Sequence, residues 1–196
     1  MPGITLDENG KYAFGWTFGW GIAHEIGHEI NQGQYAIAEI TNNYFSQLSA
    51  SKDSNASARW NWDELYEKVT SGTLGPSPSG AVQLGMYWQL HLAYDNAYNF
   101  TTYDDYADYA DYADQFNNLF FARVDAYARN NAIAPAPGGV ALSLTGADAD
   151  NALMRLSCAS AQKNLLAFFE AWGMTPDETT RAYAAQFAEE TRPVRT

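Results

Sequence analysis

Residues 24 to 28 read His24-Glu25-Ile26-Gly27-His28, and this stretch decides how the rest of the chain is understood. On a helix, side chains at i and i+4 stand one above the other on the same face. His24 and His28 can therefore reach one metal ion together. Glu25 follows His24 by one residue, about 100° further round the helix, within reach of water at that ion. Two imidazole ligands plus a carboxylate base are the chemical content of an H-E-x-x-H segment, and they point to zinc-assisted hydrolysis. The chain holds three histidines, and two of them fall at this spacing with glutamate in the required slot. The competing reading is an incidental pair of histidines on a helix surface.

A catalytic zinc keeps three protein ligands and one open position. One known continuation places a glycine three residues past the second histidine and a third histidine three beyond that. Asn31 and Gln34 occupy those places, so that continuation is excluded. The third histidine, His91, is far downstream. Two acids lie nearer. Glu29 adjoins His28 but is turned away from the ligand face, which suits orienting a histidine rather than binding the ion. Glu39 sits in a second apolar-periodic stretch, Tyr35-Ala36-Ile37-Ala38-Glu39-Ile40, reached through a break at Asn31-Gln32-Gly33. A helix, a turn at Gly33 and a second helix from about Tyr35 to Leu48 would return Glu39 to the first helix as third ligand. Asn42 and Asn43 follow, placed either to bond near the site or substrate, or for local structural bonding.

The stretches GWGIAHEIGHEINQG and AIAEITNNYFS resemble the core of the enhancin-like metallopeptidases, family sixty of the metallopeptidases, in the gluzincin clan. In that family an HExxH helix is followed by a glutamate ligand within a G/A-E-x-T-N-N segment. The resemblance implies His24, His28 and Glu39 as ligands of one zinc and Glu25 as the catalytic glutamate. LGMYWQLHLAYD and LMRLSCASAQKNLLAFFEAWGMTPDETTRAY also resemble the family's C-terminal helical part, so the likeness runs from Trp16 to about Tyr183. It implies a mainly α chain with a zincin-like catalytic core, and a protein or glycoprotein substrate, notably mucins cut beside O-linked sugars. The family's N-terminal part, which packs beside the HExxH helix, is not found. That makes the expectation a short family member or an excised fragment.

Length and composition agree with this. A chain of 196 residues suits one domain with a real core, with sub-lobes at residues 1–75, holding the zinc site, and 80–196, all helical. Hydrophobic residues make up 46% and aromatics 15%, which excludes disorder. The net charge is −12 with no Lys/Arg cluster, which excludes nucleic acid as a partner. The lone Cys158 allows no internal disulfide, and its apolar helical setting reads as a buried thiol. No apolar run reaches membrane-spanning length. The expected location is outside the cell or at its surface, although MPGITLDENG does not read as a signal peptide.

Along the chain, AFGWTFGWG (13–21) reads as a small sheet fragment or an aromatic loop, with Trp16 and Trp20 as core anchors or a wall of the substrate cleft. The zinc helix runs from Gly21 to Glu29 or Ile30, with Ile22, Ile26 and Ile30 as its buried stripe. A polar loop at 49–58, a short helix at 63–69 and a Gly/Pro/Ser loop at 71–80 follow. The next helix, from Ala81 to about Asp95, carries His91 beside Tyr87 and Trp88. His91, Tyr87, Tyr94 and Tyr98 are candidates to stabilise a developing oxyanion, with an ordinary core or surface histidine as the plainer reading of His91. YDDYADYADYADQF (103–116) reads as an amphipathic helix that continues to Tyr127 and lacks the glycine and glutamate of an EF-hand. After a connection at 132–146, helices are expected at 149–160 and 162–172. A last helix is capped by Thr175, with Pro176 first and Glu178 closing a capping box.

Three functions fit these residues. A zinc endopeptidase uses every one of them, with or without a glycan requirement, and Trp16, Trp20, Trp88, Asn42 and Asn43 are the types suited to sugar contact. A zinc-stabilised binding module leaves Glu25 unexplained. A structural helical domain leaves the whole motif unexplained.

Overall fold

The computed structural model describes residues 8, 20–37, 39–52, 80–95, 119–192 and 194, and this part of the chain is mainly α-helical. α1 spans Gly21–Ile30, α2 Thr41–Lys52, α3 Gly80–Tyr94, α4 Phe120–Arg129, α5 Ala149–Ala161, α6 Leu166–Ala171 and α7 Glu178–Ala184. A 3-10 turn at Asn131–Ile133 follows α4. Among the described residues no strand forms beyond an isolated parallel bridge between Asn164 and Glu189. The expected sheet fragment with Trp16, the helix at 63–69, Tyr98 and the tyrosine–aspartate stretch at 103–116 lie outside the described residues.

The helices pack in sequence order: α1 on α2, α2 on α3, α3 on α4, α4 on α5, and α5 on both α6 and α7. α5 is the centre of the larger part, buried from Asn151 through Ala161. Its small residues, Ala152, Ser157, Ala159 and Ser160, let neighbours approach closely, and Cys158 is the buried thiol expected of it. Burial pushes that thiol up to about 12, so it is inert. The one basic residue on the helix, Arg155, is buried but fully engaged. It donates to Thr180 Oγ1 at 2.8 Å, to the Ser143 carbonyl at 2.6 Å and to both Asp177 oxygens at 2.9 and 2.7 Å. Asp177 in turn accepts from the Thr180 amide at 2.6 Å and is the true N-cap of α7. The cap therefore falls two residues after the expected Thr175, because Asp177 alone can serve the helix end and the arginine together.

Asp95, at the end of α3, ties that helix to α4. Its carboxylate accepts from the amides of Phe120 and Phe121 at 2.7 and 3.1 Å, filling two of the free donors at the start of α4. Burial pushes this carboxyl up to about 6, against the pull of the two amides and Arg123.

Two expectations fail near the N-terminus. The bounds of α1 are as the sequence suggests, but Ile22, Ile26 and Ile30 are 47%, 52% and 44% exposed. Their four-residue period marks one face of the helix correctly, but it is not the face that packs. α1 turns Gly27 and the preceding Trp20 inward instead. Ile26 lies two residues from His24, about 200° round the helix from the side that meets α2. Nor do the described residues of Tyr35–Ile40 form a helix. The Tyr35 and Ala36 amides both bond the Gln32 carbonyl in a turn, and Glu39 takes a left-handed φ of 63° that no α-helix accommodates. α2 starts two residues later, at Thr41.

Candidate metal centre

The site is built where α1 crosses the start of α2. Close approach at the crossing comes from Gly27, the small residue inside the histidine motif. It is the buried residue of α1, with Asn42 directly against it. α1 supplies two imidazoles on one face, with ring centroids 4.8 Å apart and edge to face. The turn before α2 supplies Glu39. His24 Nε2 lies 3.4 Å from one Glu39 oxygen, and His28 Nε2 lies 3.5 Å from the other. The side chains are 12%, 40% and 60% exposed for His24, His28 and Glu39, so the group opens to solvent on its glutamate side.

These separations can be tested against a cation. Ligand atoms about 2.0–2.1 Å from a tetrahedral zinc stand about 3.3–3.4 Å from one another. The two nitrogen–oxygen distances match that edge, and the ligand atoms of all three residues lie within 4.8 Å of one another. Two imidazole nitrogens and a carboxylate are also the donor types of a catalytic zinc, with room left for an open position. The residues present fit the ion.

Glu39 reaches this place through its left-handed backbone. For a residue with a Cβ that conformation costs about 1–3 kcal/mol and persists only where neighbours enforce it. Asn43, one turn along α2, donates through Nδ2 to the Glu39 carbonyl, and its Oδ1 lies 2.7 Å from His24 Nδ1. Asn42 is fully buried, its Nδ2 3.0 Å from the Nε2 of both histidines, and its Oδ1 finds no hydrogen-bond partner among the described residues.

The other candidates are placed as follows. Glu25 is exposed on α1, next in sequence to His24. Glu29 is exposed, and it is Asn43, not Glu29, that lies against the His24 ring. Trp20 and Trp88 are each 2% exposed, so neither offers a surface to a sugar ring here; Trp16 is outside the described residues. His91 is buried, stacked on Trp88 with ring centroids 4.6 Å apart, its Nδ1 3.1 Å from the Tyr44 hydroxyl. Burial holds its imidazole down at about 3, so it is neutral. These described partners of His91 belong to the core, as do the buried Tyr87 and Tyr94. The residues that the motif alone does not single out are Gly27 and the particular role of Asn43. The available signal is a glycine inside the motif and an amide one helical turn after Glu39.

No described helix is long and apolar enough to cross a membrane. A sequence model of the family described as Peptidase M60, enhancin and enhancin-like, matches residues 8–173. No curated protein matches the chain.

Proposed function

The chain belongs to the peptidase M60 family, enhancin and enhancin-like, and we propose that it is a zinc-dependent endopeptidase with His24, His28 and Glu39 as ligands. The observation that carries this reading is the convergence of two Nε2 atoms and one carboxylate at zinc-like separations, with Glu25 exposed on the same helix. When bound, zinc supplies a Lewis acid that polarises a peptide carbonyl and makes water at the site more acidic. With the ion bound, Glu25 would serve as general base toward the attacking water and as the acid toward the departing amine. His24 and His28 would hold the ion through Nε2, and Glu39 would contribute negative charge that offsets part of the ion's own. The exposure of Glu39 and His28 leaves the approach to the group open for an extended peptide.

The substrate class in this reading is a protein bearing O-linked glycans, cut beside a modified Ser or Thr, with the enzyme acting outside the cell. Its support is the likeness of GWGIAHEIGHEINQG and AIAEITNNYFS to enhancin-like enzymes. The buried Trp20 and Trp88 leave sugar contact to other residues.

One experiment tests the reading. A mucin-type glycoprotein, with and without prior enzymatic removal of its O-glycans, is incubated with the wild-type chain and with Glu25→Gln, and new termini are mapped by mass spectrometry. The wild type is expected to cut the glycosylated form, and Glu25→Gln to retain its zinc while losing activity about 10²–10⁴-fold. Equal cutting of both substrate forms would end the glycan requirement, and an active Glu25→Gln would end the assignment of the base.

A further inference from the structure

We propose that Asn43 is the positioning residue of this centre, one amide that fixes two of its three ligands. The inference rests on the reading of His24, His28 and Glu39 as zinc ligands. Asn43 Oδ1 is 2.7 Å from His24 Nδ1, and a carbonyl oxygen can only accept there. Asn42 Nδ2, which can only donate, lies 3.2 Å from the same Nδ1 and 3.0 Å from Nε2. The shorter Asn43 contact and the donor at Nε2 together put the His24 proton on Nδ1 and leave Nε2 without one, facing Glu39 at 3.4 Å. The other end of the same amide donates to the Glu39 backbone carbonyl. It thereby closes the turn whose φ of 63° turns the Glu39 side chain toward the histidines.

An amide is the group that can do both. A carboxylate at position 43 would accept from His24 but would set an oxygen against the Glu39 carbonyl. An alanine would do neither. Because Asn43 is largely buried in α2, water is a poor substitute for either bond. Ligands held in this way by outer partners commonly lose 10–100-fold in metal affinity when the partner is removed.

The test uses the full chain. Zinc affinity is measured by competition with a chelator for wild type, Asn43→Ala and Asn43→Asp, with circular dichroism to compare the folds. Asn43→Ala is expected to bind about 10–100-fold more weakly, and Asn43→Asp to bind more weakly than wild type despite its stronger acceptor. Cobalt-substituted protein should show a shifted visible spectrum in both variants. Independently of any variant, ¹⁵N NMR of the metal-free wild type should find the His24 ring protonated on Nδ1. Wild-type affinity in a folded Asn43→Ala would overturn the proposal, as would Asn43→Asp binding as tightly as wild type. A His24 ring protonated on Nε2 would also overturn it, whether or not the variants fold. A wild-type chain that binds no zinc would instead refute the metal reading, leaving the His24 ring measurement to decide what Asn43 does.

Discussion

Gly27 of α1 lies directly on Asn42 of α2: a Cβ built on Gly27 would stand 2.7 Å from the Asn42 Cα and 2.9 Å from its carbonyl oxygen. Both neighbouring atoms are backbone and cannot swing aside. The contact sets the spacing of the two helices at the point where one carries the histidines and the other begins just past Glu39. It also sets Asn42 Nδ2 at 3.0 Å from both Nε2 atoms.

Helix propensity alone would favour alanine over glycine at an interior helical position by about 0.8–1.0 kcal/mol. The contact reverses the sign. Gly27→Ala is expected to destabilise the fold by about 1–3 kcal/mol through overpacking, and to weaken zinc binding by pushing Glu39 and Asn43 away from α1. Urea denaturation and chelator competition measure the two effects. A variant more stable than wild type, with unchanged zinc affinity, would contradict the close crossing.

Asp95 gives the fold a pH signature of its own. Its carboxyl is raised from 3.8 to about 6, mainly by burial, so the folded chain holds this proton more tightly than the unfolded chain. Its contribution to stability is therefore full below the unfolded value of 3.8 and is lost as pH rises through about 6. At 1.36 kcal/mol per unit, the loss amounts to roughly 3 kcal/mol for this group. Urea denaturation of wild type and Asp95→Asn across that window measures it. The stability of wild type relative to the variant should fall from the acid end to neutrality; a rise would contradict the dominance of burial at this carboxyl.

The sequence carried the metal centre further than it carried the packing around it. His24 and His28 are readable as a pair because the i,i+4 spacing sets both on one face of a helix, and α1 has the bounds its glycine and its periodicity suggest. The isoleucine stripe misleads because periodicity identifies a face without saying what it meets; Gly27, with no side chain to count, decides the inward side. Glu39 is readable as an acid beyond a break, but its left-handed backbone is not, since Tyr35, Ile37 and Ile40 are as apolar and as regularly spaced as in a helix. Asn43 is legible only as a polar residue one turn past Glu39. Its two bonds depend on where α1 lies. Thr175 loses the cap to Asp177 for a similar reason: Arg155, remote in sequence, selects the carboxylate.

What lies between His24, His28 and Glu39 decides whether this is a zinc site. Crystals of zinc-loaded protein, measured on either side of the zinc absorption edge, give an anomalous map that locates the ion without reference to the chain. The predicted result is one peak per chain, bonded to His24 Nε2, His28 Nε2 and a Glu39 oxygen at about 2.0–2.2 Å, with Glu25 close by but not coordinated. A peak coordinated by Glu29 in place of Glu39, or no peak at the two histidines, would contradict it.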